Sequence, residues 1–145
     1  MSSRIAVCLV ASYAALFFAV SHGIAEPNMQ EGLWEISGEM KLEGLPVPMP
    51  LVPVKFTQCL AKDDMVPQKR EKDQECKMVS KKVEGNVVSW VMQCKGKNGE
   101  SESAGRVTYK GNTFSGALHT VTTDARGGKS SSTLQMSGKL IGDCK

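Results

Sequence analysis

Three short turn signals in the C-terminal half agree on one buried face. They are Gly85-Asn86, Asn98-Gly99 and Gly111-Asn112. Each suits a two-residue β-hairpin, because glycine and asparagine tolerate the positive φ that such turns demand. As two-residue turns they pair Val83 with Val88, and Val79 with Met92. They pair Trp90 with Val107, and Val88 with Tyr109. They also pair Tyr109 with Phe114, and Val107 with Gly116. All these residues share one side. A slip of one residue at any turn would send that strand's apolar set to the other face. The chain from Cys76 onward is therefore expected to be an antiparallel meander.

The flanking segments extend it. Trp34, Ile36, Met40 and Leu42 alternate with Glu35, Ser37, Glu39, Lys41 and Glu43, which is the period of a half-buried strand. Val54–Leu60 reads as a second strand, and Ser132–Ile141 as the last, with Leu134, Met136 and Leu140 inward. Between the first two strands lies Gly44–Pro53, with four prolines in ten residues. That density excludes a helix and a central strand, and leaves an extended, polyproline-like loop. Residues 61–75 are polar, with one helical turn expected over Lys62–Val66 before Pro67. The fold class is all-β: about seven antiparallel strands forming a small barrel or a strongly curved sheet.

The N-terminus reads as an export signal over residues 1–25. Arg4 is the only charge before Glu26, and the apolar run Ile5–Val20 follows it. Small residues at Gly23 and Ala25 then place cleavage after Ala25. The run is short for a bilayer span, so no transmembrane segment is expected in the remaining domain, 26–145. That domain carries seventeen basic and fifteen acidic side chains. So even a balance gives no reason to expect nucleic acid as a partner.

Four cysteines remain, Cys59, Cys76, Cys94 and Cys144, and an even count in an exported chain reads as two disulfides. Four cysteines allow three connectivities, and the meander selects among them. Cys76 and Cys94 fall at one end of their hairpin, while two further reversals carry Cys144 to the other end. A bond needs Cα atoms within about 7 Å. Cys144 is therefore expected to pair with Cys59, and Cys76 with Cys94. The two-residue register sets Cys76 opposite Lys95, so the second bond requires a bulge near Cys76. In the loop-entropy model the short bridge contributes about 3 kcal/mol and the long one about 4–5 kcal/mol.

The order of landmarks resembles the bacterial family known as domain of unknown function 3617. The residues that carry the likeness are Gly32-Leu33-Trp34-Glu35, the Pro/Met-bearing loop Leu45–Pro53, Gln58-Cys59-Leu60, Cys76, Gly85-Asn86, Trp90 and Cys94. Ser137-Gly138-Lys139 and Gly142-Asp143-Cys144 complete it. The resemblance covers nearly all of the chain after the signal. It implies a periplasmic or surface protein of a Gram-negative-type envelope, and no activity or ligand.

Chemistry-bearing residues are sparse. His119 is the one histidine after the signal, and it falls on the strand face opposite Phe114 and Leu118, so a solvent-side role is expected. No Gly-x-Ser-x-Gly elbow accompanies it. Asp63-Asp64 sit in a polar connector and Glu100 and Glu102 near a turn, with nothing to converge them. Gly127-Gly128-Lys129-Ser130 lacks the upstream glycine and the strand–helix setting of a phosphate loop. Met40, Met92 and Met136 fall on core faces, where methionine fills gaps. No metal site and no cofactor is expected, and no enzymatic activity.

One feature lacks a structural reason. Leu45, Val47, Met49 and Leu51 form an apolar proline loop that must either plug the barrel mouth or contact something else. The leading expectation is an exported binding module for an apolar small molecule or lipid chain, held between the sheet and this loop. Its contacts would be Trp34, Leu45, Val47, Met49, Leu51, Trp90, Tyr109 and Phe114. The alternative is a protein–protein interaction module of the cell envelope acting through the loop. A cavity lined by the aromatic residues would favour the first, and a filled interior with an exposed loop the second.

Overall fold

Strict alternation of apolar and polar residues makes strands that bury one face, and the chain builds seven of them. The computed structural model describes residues 26–145, so the expected signal segment lies outside the described residues. The strands are β1 (Gly32–Glu43), β2 (Val52–Leu60), β3 (Gln74–Glu84), β4 (Val87–Gly96), β5 (Gly99–Lys110), β6 (Thr113–Asp124) and β7 (Lys129–Gly142). They form one antiparallel sheet in the order β2-β1-β7-β6-β5-β4-β3. The two edge strands, β2 and β3, do not pair, so the sheet is open and not a closed barrel. Pro53 is accommodated because β2 is an edge.

The inner face holds the core. Trp34 and Ile36 of β1, Val88, Trp90 and Met92 of β4, Val107 and Tyr109 of β5, Phe114 of β6, and Leu134 and Met136 of β7 are all buried there. Trp90 and Val107 share this face, as the turn signals require. Glycines let large rings lie flat on the sheet. A Cβ at Gly105 would collide with the Trp90 ring, and one at Gly138 with the Phe114 ring. Trp34, Tyr109 and Phe114 form a three-way cluster with centroid separations of 5.8, 5.5 and 5.4 Å.

Two register details differ from expectation. The second turn is Lys97-Asn98, closed by Gly96 opposite Gly99, so Trp90 faces Gly105 and Val88 faces Val107. The shift is two residues, which preserves the buried face. It is physically favoured because Gly105 leaves room for the indole where Val107 would not. On β3, Met78 and not Val79 lies opposite Met92, with a register shift between Met78 and Ser80. This is the bulge that the cysteines need. It turns Val79 outward and sets Cys76 directly opposite Cys94. Both expected disulfides form, with Cα separations of 5.7 Å for Cys59–Cys144 and 4.0 Å for Cys76–Cys94.

The crossover from β2 to β3 corrects two further expectations. No helical turn forms over Lys62–Val66; no helix occurs among the described residues. Instead, Met65, Val66, Pro67 and Gln68 run across the inner face and are all buried. This segment, and not the proline loop, covers the open side of the sheet. Side chains from the sheet satisfy the backbone it brings in. The Tyr109 hydroxyl donates to the Met65 carbonyl at 2.6 Å, and Gln58 Nε2 donates to the Val66 carbonyl at 3.0 Å. Trp90 Nε1 donates to Gln68 Oε1 at 2.7 Å. A buried extended segment without strand partners needs such bonds, because its polar groups would otherwise be orphaned.

Candidate functional site

The strands have two ends with different chemistry. At one end lie the start of β1, the close of β7 and the turns Gly85-Asn86 and Gly111-Asn112. N-terminal residues seal it. Gln30 N–H donates to the Gly111 carbonyl, Gly111 N–H to the Asn28 carbonyl, and Asn28 N–H to Asn86 Oδ1. Pro27 and Met29 are buried beneath. Trp34 Nε1 donates to the Gln30 carbonyl at 3.1 Å. This end is solid: Trp34, Tyr109 and Phe114 pack on one another, and Tyr109 and Trp90 bond to the crossover. Burial above all, with the Asp64 charge second, pushes the Tyr109 hydroxyl well above the ordinary tyrosine range.

At the other end lie the proline loop, the Lys97-Asn98 turn and the β6–β7 loop. Here the inner face opens into a groove of about 610 Å³. One wall is apolar: Met40 of β1 with Val54 and Phe56 of β2. Leu118 and Leu134 form the inner floor. Toward the mouth the floor becomes hydroxylic, with Ser101 and Ser103 of β5 and Thr120 and Thr122 of β6. The turn Gly96–Gly99, crossover residues Pro67, Gln68, Lys69, Glu71 and Asp73, and Gln74 at the start of β3 form the far side. That β2 and β4 line one groove shows how strongly the sheet curls. Cys94 also lines it, so the Cys76–Cys94 bridge braces that wall.

The sequence-predicted contacts therefore divide. Trp34, Trp90, Tyr109 and Phe114 are brought together, but as packed core, and none of them lines the groove. Leu45, Val47, Met49 and Leu51 are exposed, Val47 by 66%, and they hang at the groove's end of the sheet without lining it. Sequence reasoning missed the hydroxyl floor. The signal was available: following the inward parity of Tyr109 and Val107 along β5 leads to Ser103 and Ser101, and that of Phe114 and Leu118 along β6 leads to Thr120 and Thr122.

The outer face carries charge and hydroxyls. Glu35 lies between Lys55 and Lys139, at 3.1 and 3.4 Å, and the bond from Lys55 leads in holding its carboxyl below the usual range. His119 is on this face and within hydrogen-bonding distance of Thr133 Oγ1, at 3.1 Å. Asp124 Oδ1 accepts from the amides of Arg126 and Gly128, so the glycine-rich loop is an ordinary turn closed on its own carboxylate.

Among the described residues, no helix is long and apolar enough to cross a membrane. Neither a curated protein nor a solved structure matches the chain. A family profile described as "Protein of unknown function (DUF3617)" does match, over residues 29–144. The matched span takes in all seven strands and both disulfides, and the chain belongs to the DUF3617 family.

Proposed function

We propose that this protein is an exported, non-enzymatic binding module that takes an apolar small molecule or lipid chain in the groove at the open end of the sheet. One observation carries this reading. The apolar wall Met40, Val54 and Phe56 sits on the two strands that the exposed apolar loop connects. Half-buried wall and exposed loop thus lie side by side. The groove's size falls within the usual range for small-ligand sites, roughly 300–1,000 Å³. The sealed end supports the same reading, since it holds the groove's floor rigid. His119 lies on the outer face, away from the groove, which supports a role in binding and not in catalysis. The signal-like N-terminus and the two disulfides support a periplasmic or secreted location. Native mass spectrometry of the protein purified from its own source tests the proposal. A retained apolar ligand that is lost in Phe56→Asp is expected. A ligand-free protein that also binds no added alkyl chain would end the reading.

A second reading has its own observation. Leu45, Val47, Met49 and Leu51 are exposed together, beside a filled aromatic core. An envelope protein could dock on this loop, and changing all four to serine would then abolish docking while leaving ligand uptake intact.

A further inference from the structure

We infer that the groove's ligand is an amphiphile with an uncharged polar group, an ester or a hydroxylated head, seated on the Ser103–Thr120 pair. The inference rests on the proposed use of the groove for an apolar chain, and adds which head that chain carries.

Two independent observations support it. The first is a hydroxyl pair that joins a buried serine to a half-buried threonine. Ser103 is 3% exposed, and its Oγ lies 2.9 Å from Thr120 Oγ1. In such a pair one hydroxyl donates to the other, which spends one proton of the two. The remaining O–H has no protein acceptor among the described residues, and both side chains line the groove. Once a ligand covers the groove, that donor is poorly served by an alkyl chain and well served by an ester or hydroxyl oxygen. Its place fits, since Thr120 lies two residues beyond Leu118 toward the mouth. A chain lying on Leu118, Leu134 and Phe56 brings its head to that point.

The second observation is charge balance. The groove is lined by Lys69, Glu71, Asp73, Lys97 and Glu100. Lys69 pairs with Glu71 at 3.4 Å, and Glu100 with Lys95 at 3.0 Å. That leaves one acidic and one basic side chain, Asp73 and Lys97. The rim offers no net field to a carboxylate, phosphate or ammonium head. A charged head would meet Asp73 and Lys97 together, so the attraction of one is offset by the repulsion of the other and its lost hydration is not made good. An uncharged head loses little and gains the free hydroxyl.

The test uses the oxidised protein with both disulfides and three probes of one chain length, each below its micelle concentration: a 1-monoacylglycerol, the fatty acid and the alkyltrimethylammonium. Calorimetry should show the glycerol ester binding about tenfold more tightly than either ion, the worth of one hydrogen bond. Ser103→Ala/Thr120→Val removes both hydroxyls without orphaning either, and should bring the ester down to the level of the ions. If that variant does not fold, the unmodified protein still decides the matter. Backbone amide resonances of residues 101–103 and 120–122 should move with the ester and not with the ammonium. A fatty acid or ammonium that binds as tightly as the ester overturns the inference and leaves the apolar-chain reading standing. Binding of none of the three overturns both.

Discussion

The two ends of the inner face are built on the same strands, β1, β2 and β4 to β7, yet one is solid and the other open. At the sealed end the inward positions are Trp34, Tyr109, Phe114 and Val107, and the N-terminal segment and crossover lie across them. At the open end the same strands present Met40, Ser103, Thr120 and Cys94, and the crossover lines one side of the groove there without closing it. The difference comes from side-chain volume along each strand. Large rings fill the space between curled strands and give a crossing segment something to bury against. Serine and threonine neither fill that space nor reward coverage. The sealed end is therefore a scaffold, and the open end is the part of the inner face left accessible.

This contrast predicts where substitutions act. The largest effect is expected at Trp90, which is 2% exposed, lies on Gly105 and donates to Gln68. Trp90→Ala should lower stability by about 3–5 kcal/mol. Phe56→Ala, on the groove wall, should lower it by clearly less, because that side chain is only half buried. Chemical denaturation of the two variants measures the gap, and equal losses would erase the distinction between the ends. Next is Gly105→Ala. Its Cβ would overlap the Trp90 ring, and overpacking of this kind costs about 1–3 kcal/mol. The same substitution at Gly85, which has open space around it but a φ of 58°, tests backbone strain without overpacking.

The sealed end was largely readable from sequence, and the open end was not. Trp34, Trp90, Tyr109 and Phe114 announce their inward face by alternation, but alternation does not say whether inward rings pack together or line a cavity, and the expected ligand contact at these four residues proved to be packed core. Their face, the seven strands and both cysteine pairs follow from parity and turn chemistry, which are local. Two things are not local. Met65–Gln68 lies in a charged stretch, and its burial depends on donors from Gln58 and, much further along the chain, from Trp90 and Tyr109. The proline loop is more apolar than that segment and yet stays outside. Pro46, Pro48 and Pro50 remove amide donors and stiffen the chain, so it has few ways to fold back onto the sheet. Apolar content alone therefore pointed to the wrong plug.

Tyr109 links the sealed end to the crossover and gives the next effect. Tyr109→Phe leaves the buried Met65 carbonyl without its donor, which costs about 1–3 kcal/mol. A pH dependence follows as well. The folded hydroxyl holds its proton well above the ordinary tyrosine value, about 10. Above that pH the unfolded chain has lost a proton that the folded chain keeps. Stability is then fully present below about pH 10 and falls as pH rises beyond it. Tyr109 is the only tyrosine outside residues 1–25, so its ionisation can be followed directly by ultraviolet absorbance. Tyrosinate should appear only on unfolding, and Tyr109→Phe should flatten the alkaline fall. A tyrosine that titrates near 10 in the folded protein would show that the crossover does not seal this end.

The smallest effect on stability belongs to the proline loop, and there its smallness is the result that matters. Leu45, Val47, Met49 and Leu51 are each about half exposed or more, so replacing all four with serine removes little buried apolar area. Surface changes of this kind usually fall within about 0.5 kcal/mol apiece. A melting temperature close to that of the parent, together with lower adhesion to apolar surfaces, is expected from calorimetry and hydrophobic-interaction chromatography. Loss of several kcal/mol would mean that the loop packs on the groove in solution. It would then be a lid of the open end, and the two ends would differ less than their side chains suggest.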